Sequence, residues 1–135
     1  MGAAMHAESP RYRTLDFDEE KLFNLAQYLI VTPSAGGTLV AESQGRIAGM
    51  LAFAVGEFYF GKDKYASDVV MYLKPEHRGG SLFPRMVAAF EKWADEFGVK
   101  EKQLGVSADI DSERVVAVLL RLGYAKASTG TVKRN

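Results

Sequence analysis

From Ser67 to Phe97 the chain runs through a strand, a glycine turn and an amphipathic helix with no spacer between them. Val69–Leu73 is an apolar run of strand length and strand composition, and Pro75 ends it. His77–Ser81 is a short polar turn carrying Gly79 and Gly80. From Leu82 onward, Phe83, Met86, Val87, Phe90, Trp93, Ala94 and Phe97 recur at helical spacing. Such a connection aims several backbone N–H groups and the positive end of a helix dipole at one point, where a phosphate can sit. A plain tight connection is the alternative. No Gly-Lys-Ser/Thr follows the turn, so it is not a Walker loop, and the spacing of a dinucleotide-binding glycine fingerprint is missing.

The 135-residue length suits one domain, and the 47% hydrophobic and 25% charged residues are ordinary for a globular protein. Seventeen basic residues balance seventeen acidic ones, which argues against a broad nucleic-acid or membrane footprint. With no cysteine and only His6 and His77, neither a thiolate nor a histidine metal site is expected. No apolar run approaches the roughly 18 residues of a membrane span, and no signal peptide is visible, so a cytoplasmic protein is expected.

Residues 1–10 are small, polar and aperiodic and read as a disordered leader; residues 11–135 read as a single domain. Arg11–Phe17 alternates weakly, as a short edge strand would. Asp18 is an N-cap for a helix whose stripe is Leu22, Leu25, Ala26, Leu29 and Ile30. Thr38–Ser43 and Ile47–Val55 form a hairpin around Gln44-Gly45-Arg46. Gly56–Ala66, with Phe58, Tyr59, Phe60 and Tyr65, is a loop, either a hairpin extension or a mobile substrate loop. Gly98 closes the long helix. Gln103–Ser107 is a short strand, Asp109 or Asp111 caps a last helix along Val115, Val118, Leu119 and Leu122, and Tyr124–Val132 is a weak terminal strand.

This order of elements, together with Pro75-Glu76-His77-Arg78-Gly79-Gly80, Trp93-Ala94, Phe97-Gly98 and Leu122-Gly123-Tyr124, resembles the GNAT N-acetyltransferase superfamily, and most of all its short members from phages and prophages. The resemblance covers about residues 11–132. It implies an α/β (α+β) fold: a mixed, mostly antiparallel sheet with helices on both faces and a splayed pair of central strands. Val69–Leu73 is expected in the middle of that sheet, beside Gln103–Ser107. The resemblance also implies acetyl-CoA as cosubstrate, with its diphosphate at a Gln/Arg-x-x-Gly-x-Gly/Ala turn and its pantetheine arm along the strand before it. Arg78 matches the first motif position, but Ser81 stands at the first motif glycine and Phe83 at the final Gly/Ala. The motif is degenerate, and Gly79, Gly80, Ser81 and Leu82 are the turn residues expected at the phosphates, with Met71, Tyr72 and Leu73 along pantetheine. Ser112 stands where the family often has Asn near the start of its last helix. Leu119 stands where the family often has a tyrosine general acid.

The family's reaction is direct attack of an amine on the thioester carbonyl. Asp68, the only carboxylate on the strand, is the candidate base, and a solvated strand-end charge is its alternative. Tyr72 falls on the face of Asp68 by strict alternation. Tyr72, either a substrate-side hydroxyl or a core tyrosine, and Tyr124, which follows Gly123 at a position the family usually buries, are the tyrosines through which acid catalysis could run. His77 reads as an exposed loop residue, and Glu42 and Glu57 as exposed strand charges. Two functions stand side by side: an acetyl-CoA-dependent N-acyltransferase acting on a small-molecule or peptide amine, and a catalytically degenerate GNAT-fold module acting through protein interaction. Nucleic acid, membrane and metal are not expected, and a homodimer is left open.

Overall fold

The computed structural model describes residues 1–135. Its elements are α1 (Gly2–Glu8), α2 (Glu19–Val31), β1 (Gly36–Ser43), β2 (Arg46–Glu57), β3 (Lys64–Leu73), a 3-10 turn (Pro75–His77), α3 (Leu82–Phe97), β4 (Glu101–Gln103) and α4 (Ser112–Arg121). Local chemistry sets several boundaries. Asp18 caps α2 by accepting from the Lys21 N–H at 2.9 Å. Gln44 and Gly45 both take positive φ, 51° and 74°, as a two-residue hairpin loop that follows the strand twist requires. Gly98, at φ 83°, ends α3 in the left-handed region and donates its N–H to the carbonyls of Ala94 and Asp95.

The sheet order is β1-β2-β3-β4, antiparallel except for the parallel β3–β4 pair. One face carries Ala41, Leu51, Phe53, Ala66 and Leu73, which pack with Met86, Phe90 and Ala94 of α3. Phe53 is the centre of this core, edge-on to Phe90 at 5.2 Å and to Trp93 at 4.5 Å. The helical stripe read from the sequence is the stripe the sheet buries, with Trp93 half-buried at its margin, while Arg85, Lys92, Asp95 and Glu96 stay exposed. On the other face α2 lies against β1 and β2, contributing the buried Leu29.

Four expectations are corrected and one open alternative is decided. Residues 2–8, expected as a disordered leader, form α1. The run Ala3-Ala4-Met5 with Ala7 favours helix, and the segment is tethered: the fully buried Ser9 donates its hydroxyl to the Ala108 carbonyl at 2.5 Å. Arg11–Phe17 makes turns instead of an edge strand, because its backbone donors bond back along the chain: the Tyr12 N–H to the Ser9 hydroxyl at 3.0 Å, the Arg13 N–H to the Ser9 carbonyl at 3.1 Å and the Leu15 N–H to the Tyr12 carbonyl at 2.8 Å. Gly56–Ala66 is the hairpin extension of the two alternatives: β2 runs to Glu57, β3 starts at Lys64, and Phe58 packs on Tyr65 at 5.1 Å. The strand expected at Gln103–Ser107 is β4, three residues long and shifted earlier, lying beside Tyr65–Ser67 and not beside Val69–Leu73. Tyr124–Val132 forms no strand; apart from the half-buried Tyr124 it is exposed, with Gly130 inside it and no apolar period to bury.

Candidate active site

The site is built where two strands part. β4 pairs with β3 only over Tyr65–Ser67, and beyond Gln103 the chain turns away as a loop. At that point β3 carries a bulge. Ala52 faces Val70 and Phe53 faces Asp68, so Val69 has no partner on β2. A bulge adds one residue, bends its strand and re-aims the side chains on either side of it. The opening is a cleft of about 520 Å³ lined on one side by Asp68–Leu73 and on the other by Gly105–Ala108. The Val115, Val118 and Leu122 face of α4, with Phe83 and Pro84, makes its apolar wall, and Arg78, Gly79 and Gly80 lie at one end.

The bulge corrects the relation between Asp68 and Tyr72. Asp68 lies opposite Phe53, whose side chain is in the α3 core, whereas Tyr72 lies opposite Met50 in the other parity, so the two residues are on opposite faces of the sheet. Strict alternation fails because Val69 is an extra residue between them. Asp68 sits at the fork and accepts from the Gly105 N–H at 2.9 Å, pinning the diverging loop to β3. Burial raises its carboxyl pKa, and the hydrogen bond from Gly105 opposes that rise. Tyr72 donates its hydroxyl to Glu8 at 2.9 Å. Burial pushes this phenol up, and the bond to Glu8 and the Glu8 charge push it further.

Arg78 is where the sequence places it in the fold, and its donors are occupied. Its Nε donates to the Leu73 carbonyl at 2.8 Å, its Nη1 and Nη2 grip both oxygens of Glu8 at 2.5 and 2.9 Å, and Nη1 also reaches Asp111 at 3.3 Å. The fork-to-fork pairing holds the Glu8 carboxyl below its ordinary range, and in return the bond to Glu8 raises the Arg78 pKa. The guanidinium also lies 5.4 Å from the Tyr72 ring centre. Glu8, Asp111 and the cleft residues Met5 and Tyr12 were not visible as site residues in the sequence. The one available signal was Glu8 standing alone as the acidic residue of the first ten.

The turn after Arg78 has the form an anion needs. Gly79 takes φ 88°, a left-handed conformation that favours glycine, and the Arg114 guanidinium lies where a Cβ would project from it. The N–H groups from Gly79 to Phe83 donate to no backbone carbonyl. Met71, Tyr72, Leu73, Arg78, Gly79 and Gly80 all line the cleft. The other proposed site residues, Asp68 apart, do not. Ser81 stands at the N-cap position of α3 without a side-chain capping bond. Leu82 packs on the hydrophobic core. Ser112 points its hydroxyl to Asp109 at 2.6 Å, because it braces the loop that leads into α4. Tyr124 is packed toward α3, its hydroxyl buried; burial pushes its pKa up, with Glu91 and Asp95 adding to the rise. Leu119 is buried outside the cleft, so the α4 residue facing the cleft at this level is Val118, which carries no acid either. His77, Glu42 and Glu57 lie outside the cleft as well.

Solved structures share this architecture. An aminoglycoside acetyltransferase from an uncultured soil metagenomic sample is similar at TM-score 0.70 and 14% identity, over 98% of this chain and 86% of that one. A ribosomal-protein-alanine N-acetyltransferase from Brucella melitensis biovar Abortus 2308 is similar at TM-score 0.74 and 16% identity, over 98% and 85%. The aminoglycoside N-acetyltransferase AAC(6')-Iy in complex with CoA is similar at TM-score 0.69 and 14% identity, over 86% and 87%. At these identities the likeness concerns the fold. No curated protein matches the chain. The model of the acetyltransferase (GNAT) family matches residues 3–124, from α1 through the Gly123-Tyr124 pair, and the chain belongs to that family.

Proposed function

We propose that the protein is an acetyl-CoA-dependent N-acyltransferase that passes an acetyl group directly to an amine. The observation that carries this is the cleft between β3 and the loop after β4, which joins an apolar channel to a turn with unused amides. A pantetheine arm fits the channel, where the β3 backbone from Met71 to Leu73 can hydrogen-bond its amides, and a diphosphate fits the turn. The relatives solved with CoA or with aminoglycoside-derived ligands support the same choice of cosubstrate and of a small-molecule amine as acceptor.

In the reaction the amine nitrogen bonds to the thioester carbonyl carbon, the C–S bond breaks, and CoA leaves as its thiolate. Asp68 is the base within the fork. Its raised pKa brings it nearer the operating pH, which suits a proton acceptor better than a surface carboxylate would. A β3 N–H next to the bulge supplies the oxyanion donor. A thiol of pKa about 8.5 leaves without a dedicated acid, consistent with Val118 and Leu119 in place of a phenol. Tyr72 holds Glu8 and shapes the channel. The proposal includes a cytoplasmic setting, where acetyl-CoA is available; no helix is long and apolar enough to cross a membrane.

A second function rests on one observation: Arg78 is already neutralised by Glu8 and Asp111, as in a fold kept for protein interaction without CoA binding. Thermal unfolding with acetyl-CoA separates the two. A ligand at 100 times its Kd adds about 2.7 kcal/mol to the native state, so a clear upward shift is expected, followed by thiol release with an amine panel. No shift at millimolar acetyl-CoA would favour the interaction module.

A further inference from the structure

We infer that the guanidinium that meets the cosubstrate's diphosphate is that of Arg114, on the first turn of α4, and not that of Arg78. The inference rests on the acyltransferase function proposed above. Arg78, the motif arginine, has its charge answered by Glu8 and Asp111 and a further N–H committed to the Leu73 carbonyl. To serve a phosphate it would have to release α1. Arg114 is in the opposite condition. It lines the same cleft, and its Nη2 lies where a Cβ on Gly79 would project, in the turn that carries the unused amides. Its side chain makes no ion pair and no hydrogen bond. An exposed, unpaired guanidinium held against a glycine by the packing of α4 is a ready bidentate partner for phosphate oxygens. Glycine at position 79 is what allows it there: any side chain would occupy the volume of the guanidinium.

This division of labour also explains the degenerate turn. Ser81 and Phe83 replace the glycines that let phosphates approach the backbone closely, while Gly79 opens the backbone earlier, on the side facing α4. The anion is thereby drawn toward α4 and its arginine.

Calorimetry of CoA binding to wild type, Arg114→Gln and Arg114→Lys, at low and high salt, tests this. Arg114 is exposed, so circular dichroism and melting are expected to match wild type. Loss of a charged hydrogen-bonding pair weakens affinity by about tenfold or more. Arg114→Gln is therefore expected to bind CoA at least tenfold less tightly at low salt, with a shallower salt dependence, and Arg114→Lys to fall between. Wild-type affinity in Arg114→Gln would overturn the inference and leave the acyltransferase function standing. So would a loss of affinity with the salt dependence unchanged, since that would mark a packing effect. Absence of CoA binding by wild type itself would instead remove the acyltransferase function.

Discussion

The contact between Glu8 and Arg78 joins the first ten residues to the turn before α3. The pair is bidentate, at 2.5 and 2.9 Å, and its side chains are 31% and 17% exposed, so it is neither a surface pair nor a buried one. Exposed pairs are worth about 0.2–1 kcal/mol, whereas hydrogen bonds to charged groups are worth about 1.5–3 kcal/mol. Desolvation is partial here, and two flexible side chains must be ordered, so a coupling of about 1–2 kcal/mol follows. A double-mutant cycle with Glu8→Ala, Arg78→Ala and the double variant, by urea unfolding at pH 7, measures it. The pH dependence gives an independent check. The Glu8 carboxyl titrates below its ordinary 4.5 in the folded state, chiefly because of its bond to Arg78. A depressed carboxylate stabilises the fold above the unfolded pKa, and that stabilisation is lost as pH falls through the folded pKa. The coupling should therefore be full at neutral pH and be lost in acid, as pH falls from the ordinary carboxylate range through the lower folded pKa of Glu8. A coupling below about 0.3 kcal/mol at pH 7, within the usual error of such cycles, would refute the Glu8–Arg78 pair as a stabilising contact and leave α1 held by the Ser9 bond to Ala108.

Two further outcomes are expected. Phe90→Ala removes a fully buried ring that meets Phe53 edge-on, and it should cost about 3–5 kcal/mol in denaturant unfolding; a cost below about 1 kcal/mol would place α3 elsewhere. Asp68→Asn keeps an oxygen to accept from Gly105 and removes a charge that burial disfavours. Because the folded pKa of Asp68 is raised, its ionisation costs stability as pH climbs through that value, so the Asn variant should be at least as stable as wild type at pH 7 and gain on it from acid to neutral pH. The same substitution should lower kcat/KM with an amine substrate, and unchanged turnover would exclude Asp68 as the base.

What was legible in the sequence was whatever rests on periodicity and caps. The α3 stripe, the Asp18 cap, the Gln44-Gly45 turn and the Gly98 stop are local signals, and each is realised. What was not legible depends on partners distant in the chain. Residues 2–8 look like a leader because the apolar side chains of α1 are alanines apart from Met5 and mark no core stripe; its order comes from Arg78 and Ala108, 70 and 99 residues away from Glu8 and Ser9. The bulge at Val69 is invisible because it arises from the register of β2 against β3, and a single unpaired residue moved Asp68 and Tyr72 to opposite faces. Ser112 and Tyr124 were placed by motif position alone. Their side chains are spent on Asp109 and on the α3 interface.

The same contrast bears on how a degenerate motif should be weighed. A motif arginine is informative in sequence only if its charge is free in the fold, and here Arg78 is consumed by Glu8 and Asp111 while still forming one end of the cleft. A motif glycine is informative only through the conformation it permits, and Gly79, one residue after Arg78, supplies a positive φ at the turn where Ser81 and Phe83 stand at the motif's later positions. Departures at Ser81 and Phe83 therefore do not count as two independent losses. If Arg114 meets the diphosphate as inferred above, they belong with the early glycine and the occupied Arg78 as one rearrangement, in which the turn keeps its free amides and the neighbouring helix brings the cation.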